Sequence, residues 1–292
     1  MAKARALDKR RKAIRNIRKI TRTMELIATA RFKKAMDRAH AATAYTRRMT
    51  QLVADLANSG LEVKHPLLEG REKTDRAVLL VLSANRGLCG GYNGNVQRAA
   101  FGRYAELKQQ VPDVRLEISG KRGLAAARFR HLSVAQSFTH FEDKPSFEQV
   151  EVVANRFLES YNTGALDRLD VAYMRFENVS RQSVAVETLL PLGNLAGPQA
   201  AGDATALEFE FLPSAESILE EVVPTSFKVK LFKCFLDAAV SEQVARMVAM
   251  KAATKSAGDR IRQLSMQYNR ARQSQITGEI MEIIGGVEAL KG

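Results

Sequence analysis

Apolar and small side chains recur with helical spacing at both ends of this chain and with strand spacing between them. From Leu7 they fall at Ile14, Ile17, Thr21, Met24, Ala28, Ala35, Ala42, Tyr45, Met49, Leu52 and Leu56. That heptad register marks a coiled-coil seam. Residues 3–57 contain no Pro or Gly, so the pattern predicts one helix about 80 Å long. A helix of that length needs a partner along it. Asn58-Ser59-Gly60 ends it. A second series runs through Leu231, Cys234, Ala238, Ala245, Val248 and Ala252, then Ile261, Leu264, Tyr268 and Ala271, then Ile276, Ile280, Ile283, Val287 and Leu290. Its phase slips between Ala252 and Ile261 and again after Ala271. Such slips change local supercoiling, or mark where the second helix leaves its partner and continues alone. Pro224 is expected to interrupt or kink this helix. Two helical ends so far apart in sequence can share a seam only by folding back antiparallel.

Between the helices the period changes. His65-Pro66 and the polar stretch 69–75 read as a linker. Residues 77–82 form a continuous apolar run, as in a strand buried on both faces. A glycine-rich turn follows, Gly87-Leu88-Cys89-Gly90-Gly91-Tyr92-Asn93-Gly94. Helices are predicted at 95–110, 123–130 and 147–162, and strands at 114–119, 133–138, 169–176 and 183–190. Strand–helix alternation predicts a mainly parallel sheet with crossover helices, and the last two strands an antiparallel hairpin at one edge. Residues 193–206 read as a loop, 209–211 as a short strand, and Ser214 as a helix N-cap. The predicted fold class is therefore α/β plus coiled coil: a long antiparallel coiled coil with an inserted Rossmann-like α/β domain. Its parts are an N-terminal helix (1–60), an α/β domain (75–206) and a C-terminal helix (213–292).

Charge sharpens this picture. Residues 1–50 hold 16 Lys or Arg against 3 Asp or Glu, which is the whole net charge of +13; the remaining 242 residues hold 29 of each. A basic first helix suits a nucleic acid, an acidic membrane surface or an acidic protein partner, or is simply a solvated face. A bZIP-like arm does not fit, because here the basic residues are interleaved with the apolar ones and aromatics are sparse. Cys89 and Cys234 have no metal or redox spacing, so a reducing compartment is expected. The four histidines form no ligand pattern and read mostly as surface residues. The N-terminus has no apolar h-region, and no window is long and apolar enough to span a membrane.

Candidate chemistry is thin. The glycine turn reads GxxGGxxG, which is neither dinucleotide nor Walker spacing. No Lys-Ser or Lys-Thr follows it, and no acidic residue ends the next strand near Ser119 to hold a ribose. A tight exposed loop with backbone free to meet a partner is the plainer reading. The sequence offers no nucleophile–base pair, metal cluster or carboxylate dyad, and no positive case for catalysis by this chain alone. No cofactor is expected.

The C-terminal run Ala245-Arg-Met-Val-Ala-Met-Lys-Ala-Ala-Thr254, then Tyr268-Asn-Arg-Ala-Arg-Gln273 and Ile276-Thr-Gly-Glu-Ile280, resembles the gamma chains of the rotary proton-driven ATP synthase. So do Ile17-Arg-Lys-Ile-Thr-Arg-Thr-Met24-Glu25 and Arg86-Gly-Leu-Cys-Gly-Gly91. The motifs stand in the family's order and cover essentially the whole chain. The resemblance implies a non-catalytic central shaft, its coiled coil inside a ring of alpha and beta chains, its α/β domain beside the epsilon chain and the c-subunit ring. It implies a peripheral place on the cytoplasmic face of a bacterial plasma membrane, held there by partner chains. Residue by residue it implies partner contacts. Arg272 and Gln273 would meet a loop of one beta chain, with Thr277 and Glu279 in the same tract. Met24 and Arg246 would meet an acidic lever at the mouth of the ring, and Arg86 and Cys89 would lie near such a lever.

The chain departs from the family at Asn85 (commonly Asp), Gly278 (often Gln) and Lys255 (commonly Asp), which touches individual polar contacts. It lacks the cysteine insert of the chloroplast form. The rival reading is a structural coiled-coil adaptor for an acidic protein partner. A nucleotide-binding enzyme with helical arms stands further off.

Overall fold

The structure is a computed structural model. It describes residues 2–58, 65–71, 73–141, 144–192 and 215–290. Within the helices, the side chains of residues 2–3, 41–47, 49–58 and 215–219 lie outside the description. The predicted helix end at Ser59-Gly60, the loop 193–206, the strand 209–211 and the cap Ser214 lie outside it too, as do the seam side chains of Ala42, Tyr45, Met49, Leu52 and Leu56.

Ten elements follow in order: α1 (Ala2–Asn58), β1 (Arg76–Leu82), α2 (Tyr92–Gln110), β2 (Asp113–Ser119), α3 (Lys121–Phe129), β3 (Gln136–Phe138), α4 (Phe147–Asn162), β4 (Arg168–Phe176), β5 (Gln182–Leu190) and α5 (Ala215–Ala289). The chain divides into two compact units: Met1–Thr29 with Arg246–Gly292, and Ala30–Ala245. Both long helices contribute to each.

In the larger unit the sheet order is β3-β2-β1-β4-β5, with β5 antiparallel at one edge and the rest parallel. Six apolar residues in a row make β1 the central strand, because alternate side chains feed two cores. Val78, Leu80 and Leu82 pack with α4, α5 and β5 residues such as Phe157, Phe227 and Leu189. Ala77, Leu79 and Val81 pack with α2 residues such as Val96, Phe101 and Leu107. Helix α4 starts on a capping box, Ser146 with Gln149, which satisfies two otherwise orphaned backbone donors. The end of β1 packs tightly against the turn from β2 into α3. Ser83 Oγ donates to the Ser119 carbonyl at 2.7 Å and accepts from the Gly123 amide at 2.9 Å. Gly120, at φ +100°, leaves no room for a side chain: a Cβ there would sit 2.1 Å from the Ser83 carbonyl oxygen.

Three expectations change. The segment before β1 is anchored, where a free linker was expected: Leu67 is fully buried, and Arg71 pairs with Asp167 at 2.5 Å. Asp167 in turn accepts from the Asp75 and Arg76 amides. The strand predicted at 133–138 shortens to Gln136–Phe138, the three residues that pair with β2. Helix α5 runs through Pro224 without interruption.

Candidate functional site

The two-helix unit is antiparallel. The Thr254 hydroxyl donates to the Thr21 hydroxyl at 2.9 Å. Ten residues earlier on α1, the Arg11 guanidinium lies 4.6 Å from the centre of the Tyr268 ring, fourteen residues later on α5. Position rises on one helix as it falls on the other. The shielded residues of α1 here are Ala4, Leu7, Asp8, Arg11, Ile14, Thr21, Met24, Glu25 and Ala28. Sequence had placed Ile17 and Met24 on the seam. Met24 is half-buried, but Ile17 is 48% exposed, and Glu25 is only 8% exposed. On α5 the shielded series is Met250, Thr254, Ala257, Ile261, Leu264, Tyr268, Ala271 and Gln275, a heptad pattern without a break. The slip expected between Ala252 and Ile261 is therefore absent. The seam there uses Thr254 and Ala257, whose small side chains gave the sequence pattern no apolar signal.

Beyond Gln275 every residue of α5 through Leu290 is exposed. Counting back from Arg11 to Ala2 brings the start of α1 level with about residue 277, so the partner has run out. The lone helix carries Ile276, Ile280, Ile283, Val287 and Leu290 on one stripe, all exposed. Their i, i+4, i+7, i+11, i+14 spacing is that of a helix face that docks elsewhere. The second expected change of phase is thus the end of the pairing.

A cleft of about 610 Å³ opens between the two helices near this end. Its walls include Arg5, Asp8, Lys9 and Lys12 from α1 and Tyr268, Arg272, Gln275 and Ile276 from α5. Asp8 is held by Arg11 at 2.6 Å and Lys12 at 3.0 Å. Hydrogen bonds from Lys12 and then Arg11 hold its carboxyl below the ordinary aspartate range.

In the sheet unit the glycine turn leads into α2. Cys89 faces inward, 2% exposed, and its sulfur accepts from Asn93 Nδ2 at 3.1 Å. Leu88, held at φ +64°, is 56% exposed beside the exposed Arg86. Cys89 itself is therefore buried, and the exposed side chains of this turn include those of Arg86 and Leu88. Asn93 Oδ1 accepts from the Ala84 amide, and Asn85 bonds across to the Phe141 carbonyl and the Lys121 amide. In doubly wound sheets, ligands bind beyond the carboxyl ends of the strands where the order reverses, here beside β1 and β4. The pocket at the carboxyl ends of the strands lies by β1 and β2, where Phe235, Ala238, Ala239 and Glu242 of α5 close on Leu82, Ser83, Tyr92 and Ser119, leaving about 40 Å³. This is room for a water molecule and far below what a nucleotide requires.

A buried polar group lies between the sheet and α5. Tyr173 donates to Glu187 at 2.7 Å, and Arg175 pairs with the same carboxylate. Burial alone would raise Glu187, but the Tyr173 and Arg175 hydrogen bonds hold it below the ordinary glutamate range. Burial pushes the Cys234 thiol up to about 12, so it stays protonated and unreactive. Among the described residues no cluster of side chains could hold a metal ion, and no helix is long and apolar enough to cross a membrane.

A family model described as ATP synthase matches residues 3–290. An ATP synthase gamma chain from Rhodopirellula baltica is 64% identical over the full length of both chains. One from Leptospira biflexa is 34% identical over 99% of this chain and 100% of the relative. The chain belongs to the ATP synthase gamma-chain family. Such a chain is the central rotor stalk of its complex and is not itself catalytic; the catalytic sites are on the beta chains. The fold agrees. A chain of the Euglena gracilis mitochondrial ATP synthase (OSCP/F1/c-ring, rotational state 3) superposes with a TM-score of 0.67 at 18% identity, over 99% of this chain and 95% of that one.

The residues expected to touch partners fall in different surroundings. Arg272 lines the basic cleft. Gln273, next along the helix, is about 100° round from it and exposed, as is Thr277, whose hydroxyl bonds back to the Gln273 carbonyl. Glu279 is exposed and accepts from Gln275 at 2.8 Å. Met24 is half-buried and Arg246 buried. The sequence did not single out Arg5, Lys9 and Lys12 as neighbours of Arg272. The signal was present in their i, i+4 and i, i+7 spacing on α1, but only the pairing register shows what they face.

Proposed function

We propose that this chain turns as the shaft of a bacterial-type, proton-translocating ATP synthase. In this reading its paired helices lie inside a ring of alpha and beta chains, and the sheet unit meets the epsilon chain and the c-subunit ring. Residues 1–60 and 213–292 serve as the shaft and 75–206 as the coupling domain. The complex sits at the cytoplasmic face of the plasma membrane, where partner chains hold this one.

The observation that carries this reading is the antiparallel pairing of the two chain ends around a narrow seam, with unlike faces outside it. A single asymmetric shaft cannot meet three beta chains alike, so each angle favours a different set of open and closed catalytic sites. By linkage, nucleotide state at those sites biases the angle. Met24, Arg246, Arg86, Arg272, Gln273, Thr277 and Glu279 are assigned to partner contacts along this path, with Leu88 standing in for the buried Cys89. The Ile276–Leu290 stripe is assigned to packing within the ring. Exposed ion pairs are each worth about 0–1 kcal/mol, enough to prefer a register without holding the shaft still.

Purification tests the shaft assignment: the chain must emerge in a ring with nucleotide-binding alpha and beta chains. Nucleotide turnover by the isolated chain would overturn it. For the contacts, Arg272→Ala with Gln273→Ala in the assembled complex is expected to lower coupled ATP synthesis while helix content is kept. Full synthesis by that complex would remove both residues from the path.

A further inference from the structure

We propose that the groove between α2 and the β4–β5 hairpin binds a phosphate monoester, held by Arg98 and Arg103 on α2 and by Arg168 on β4. The groove lies within the sheet unit and has a volume of about 490 Å³, the size of a small-ligand site. Three guanidinium groups line it, against the carboxylates of Asp170 and Glu106, so one positive charge of the three is uncompensated. Asp170 is 1% exposed and is saturated from within. Its Oδ1 accepts from Arg168 Nε and from the Thr188 hydroxyl, both at 2.8 Å, and its Oδ2 accepts from Arg103 Nε at 2.9 Å. Both arginines are thus fixed by their inner nitrogens. Arg103 Nη1 donates to Glu106 at 3.0 Å, and Arg168 Nη2 to the Thr188 oxygen at 2.9 Å. One terminal nitrogen of each remains uncommitted, Nη2 of Arg103 and Nη1 of Arg168. Arg98 makes no hydrogen bond or ion pair among the described residues.

The helix geometry supplies the floor. At about 100° per residue, Arg98 and Arg103 stand about 140° apart round α2, with Ala99 and Gly102 between them. A Cβ at Gly102 would meet nothing within 4 Å, so packing does not call for glycine there. Glycine inside a helix is destabilising; what it does here is keep the floor open. Chemistry then selects the ligand. A phosphate carries several acceptor oxygens on a tetrahedron, so it can take paired hydrogen bonds from guanidinium groups arriving from both the helix and the strand. A carboxylate has two oxygens in one plane and is filled by a single arginine. Inorganic phosphate would leave Val186, 37% exposed on the β5 wall, uncovered. The carbon chain of an ester covers it. Such a group comes either from a lipid headgroup or from a soluble metabolite, and binding it would tie α2 to the edge hairpin.

The test labels arginines with phenylglyoxal in the assembled complex, reconstituted in phosphatidylcholine vesicles, and reads each position by peptide mass spectrometry. Glycerol 3-phosphate is the soluble probe, and the same vesicles with phosphatidic acid added are the lipid probe. Arg98 should label readily without ligand and be protected saturably by one of the two, for the soluble probe with half-protection at about 1 mM, as two or three exposed charged hydrogen bonds supply. Protection by glycerol 3-phosphate assigns the site to a soluble ester; protection by phosphatidic acid alone assigns it to a headgroup. Arg128, exposed on α3, should stay unprotected throughout. Gly102→Leu fills the floor without removing a charge and should weaken protection of Arg98 about tenfold or more. Arg98→Gln should weaken protection of Arg168 about tenfold, the effect of one lost charged hydrogen bond. An Arg98 that neither probe protects overturns the site. Equal protection of Arg128 reduces the effect to surface charge, and protection unchanged by Gly102→Leu places the ligand outside the groove; either overturns it. So does an Arg98 already unreactive without ligand, which would make the groove an interface with another chain.

Discussion

The two units use charge in opposite ways. In the sheet unit, carboxylates are driven inside and clamped. Asp170, 1% exposed, is held by Arg103 at 2.9 Å and Arg168 at 2.8 Å and also accepts from the Thr188 hydroxyl. Glu117 of β2 is held by Arg156 of α4, and Asp167 by Arg71 together with two backbone amides. Apart from Arg168 with Asp170, these pairs join residues distant in sequence. In the two-helix unit Arg11 and Lys12 pair with Asp8, Arg22 with Glu25 and Arg262 with Asp259, each three or four places apart. Such pairs support a helix by only a few tenths of a kcal/mol each. One unit uses charge to hold its own fold, and the other leaves most of it facing outward for something else to meet.

That contrast can be broken most sharply at glycines. Gly120→Ala forces a side chain into a left-handed backbone and onto the Ser83 carbonyl; unfolding in denaturant should show a loss of about 4 kcal/mol. Next, Asp170→Ala strands Arg103 and Arg168, and because both keep some contact with water the expected loss is about 2–3 kcal/mol. Neutralising Lys9 or Arg272 in the same assay should change stability by less than about 0.5 kcal/mol.

Between these lies Glu187→Gln, expected to cost about 1 kcal/mol at neutral pH. The folded chain holds Glu187 below its ordinary range, so the stabilisation is complete above the unfolded-state value and disappears as pH falls through the folded one. Melting curves of wild type and variant should therefore converge on acidification from pH 7; a gap that widened would reverse the assigned sign. One effect has the opposite direction. A Cβ at Gly278 would meet nothing within 4 Å, so Gly278→Ala should raise helix stability by about 0.5–1 kcal/mol, seen as stronger helical circular dichroism on heating. A loss there would mean the lone end of α5 is packed in the free chain.

Much of this architecture was readable from local pattern. The apolar run 77–82 became the central strand, because only a strand covered on both faces can afford no polar side. Phe147–Asn162 was bounded as predicted, because a capping box and a clean amphipathic period act within the segment itself. The hairpin β4–β5 and its edge position followed from the short connection between two strands. The candidate site was less readable. Motif resemblance pointed to Arg272 and Gln273, yet adjacent residues on a helix face different ways, and only one of them reaches the cleft.

Sequence by itself determined that both ends are helical, that a βα-alternating domain lies between them, and that the surplus positive charge rides on the first helix. Those are properties of periodicity and composition, carried by each segment alone. Tertiary structure decided which face of each helix is the seam, where the pairing stops, and that α5 closes the pocket at the carboxyl ends of the strands. In an alanine- and threonine-rich helix several faces are almost equally apolar, so the partner's position selects the buried one, placing Glu25 inside and Ile17 outside.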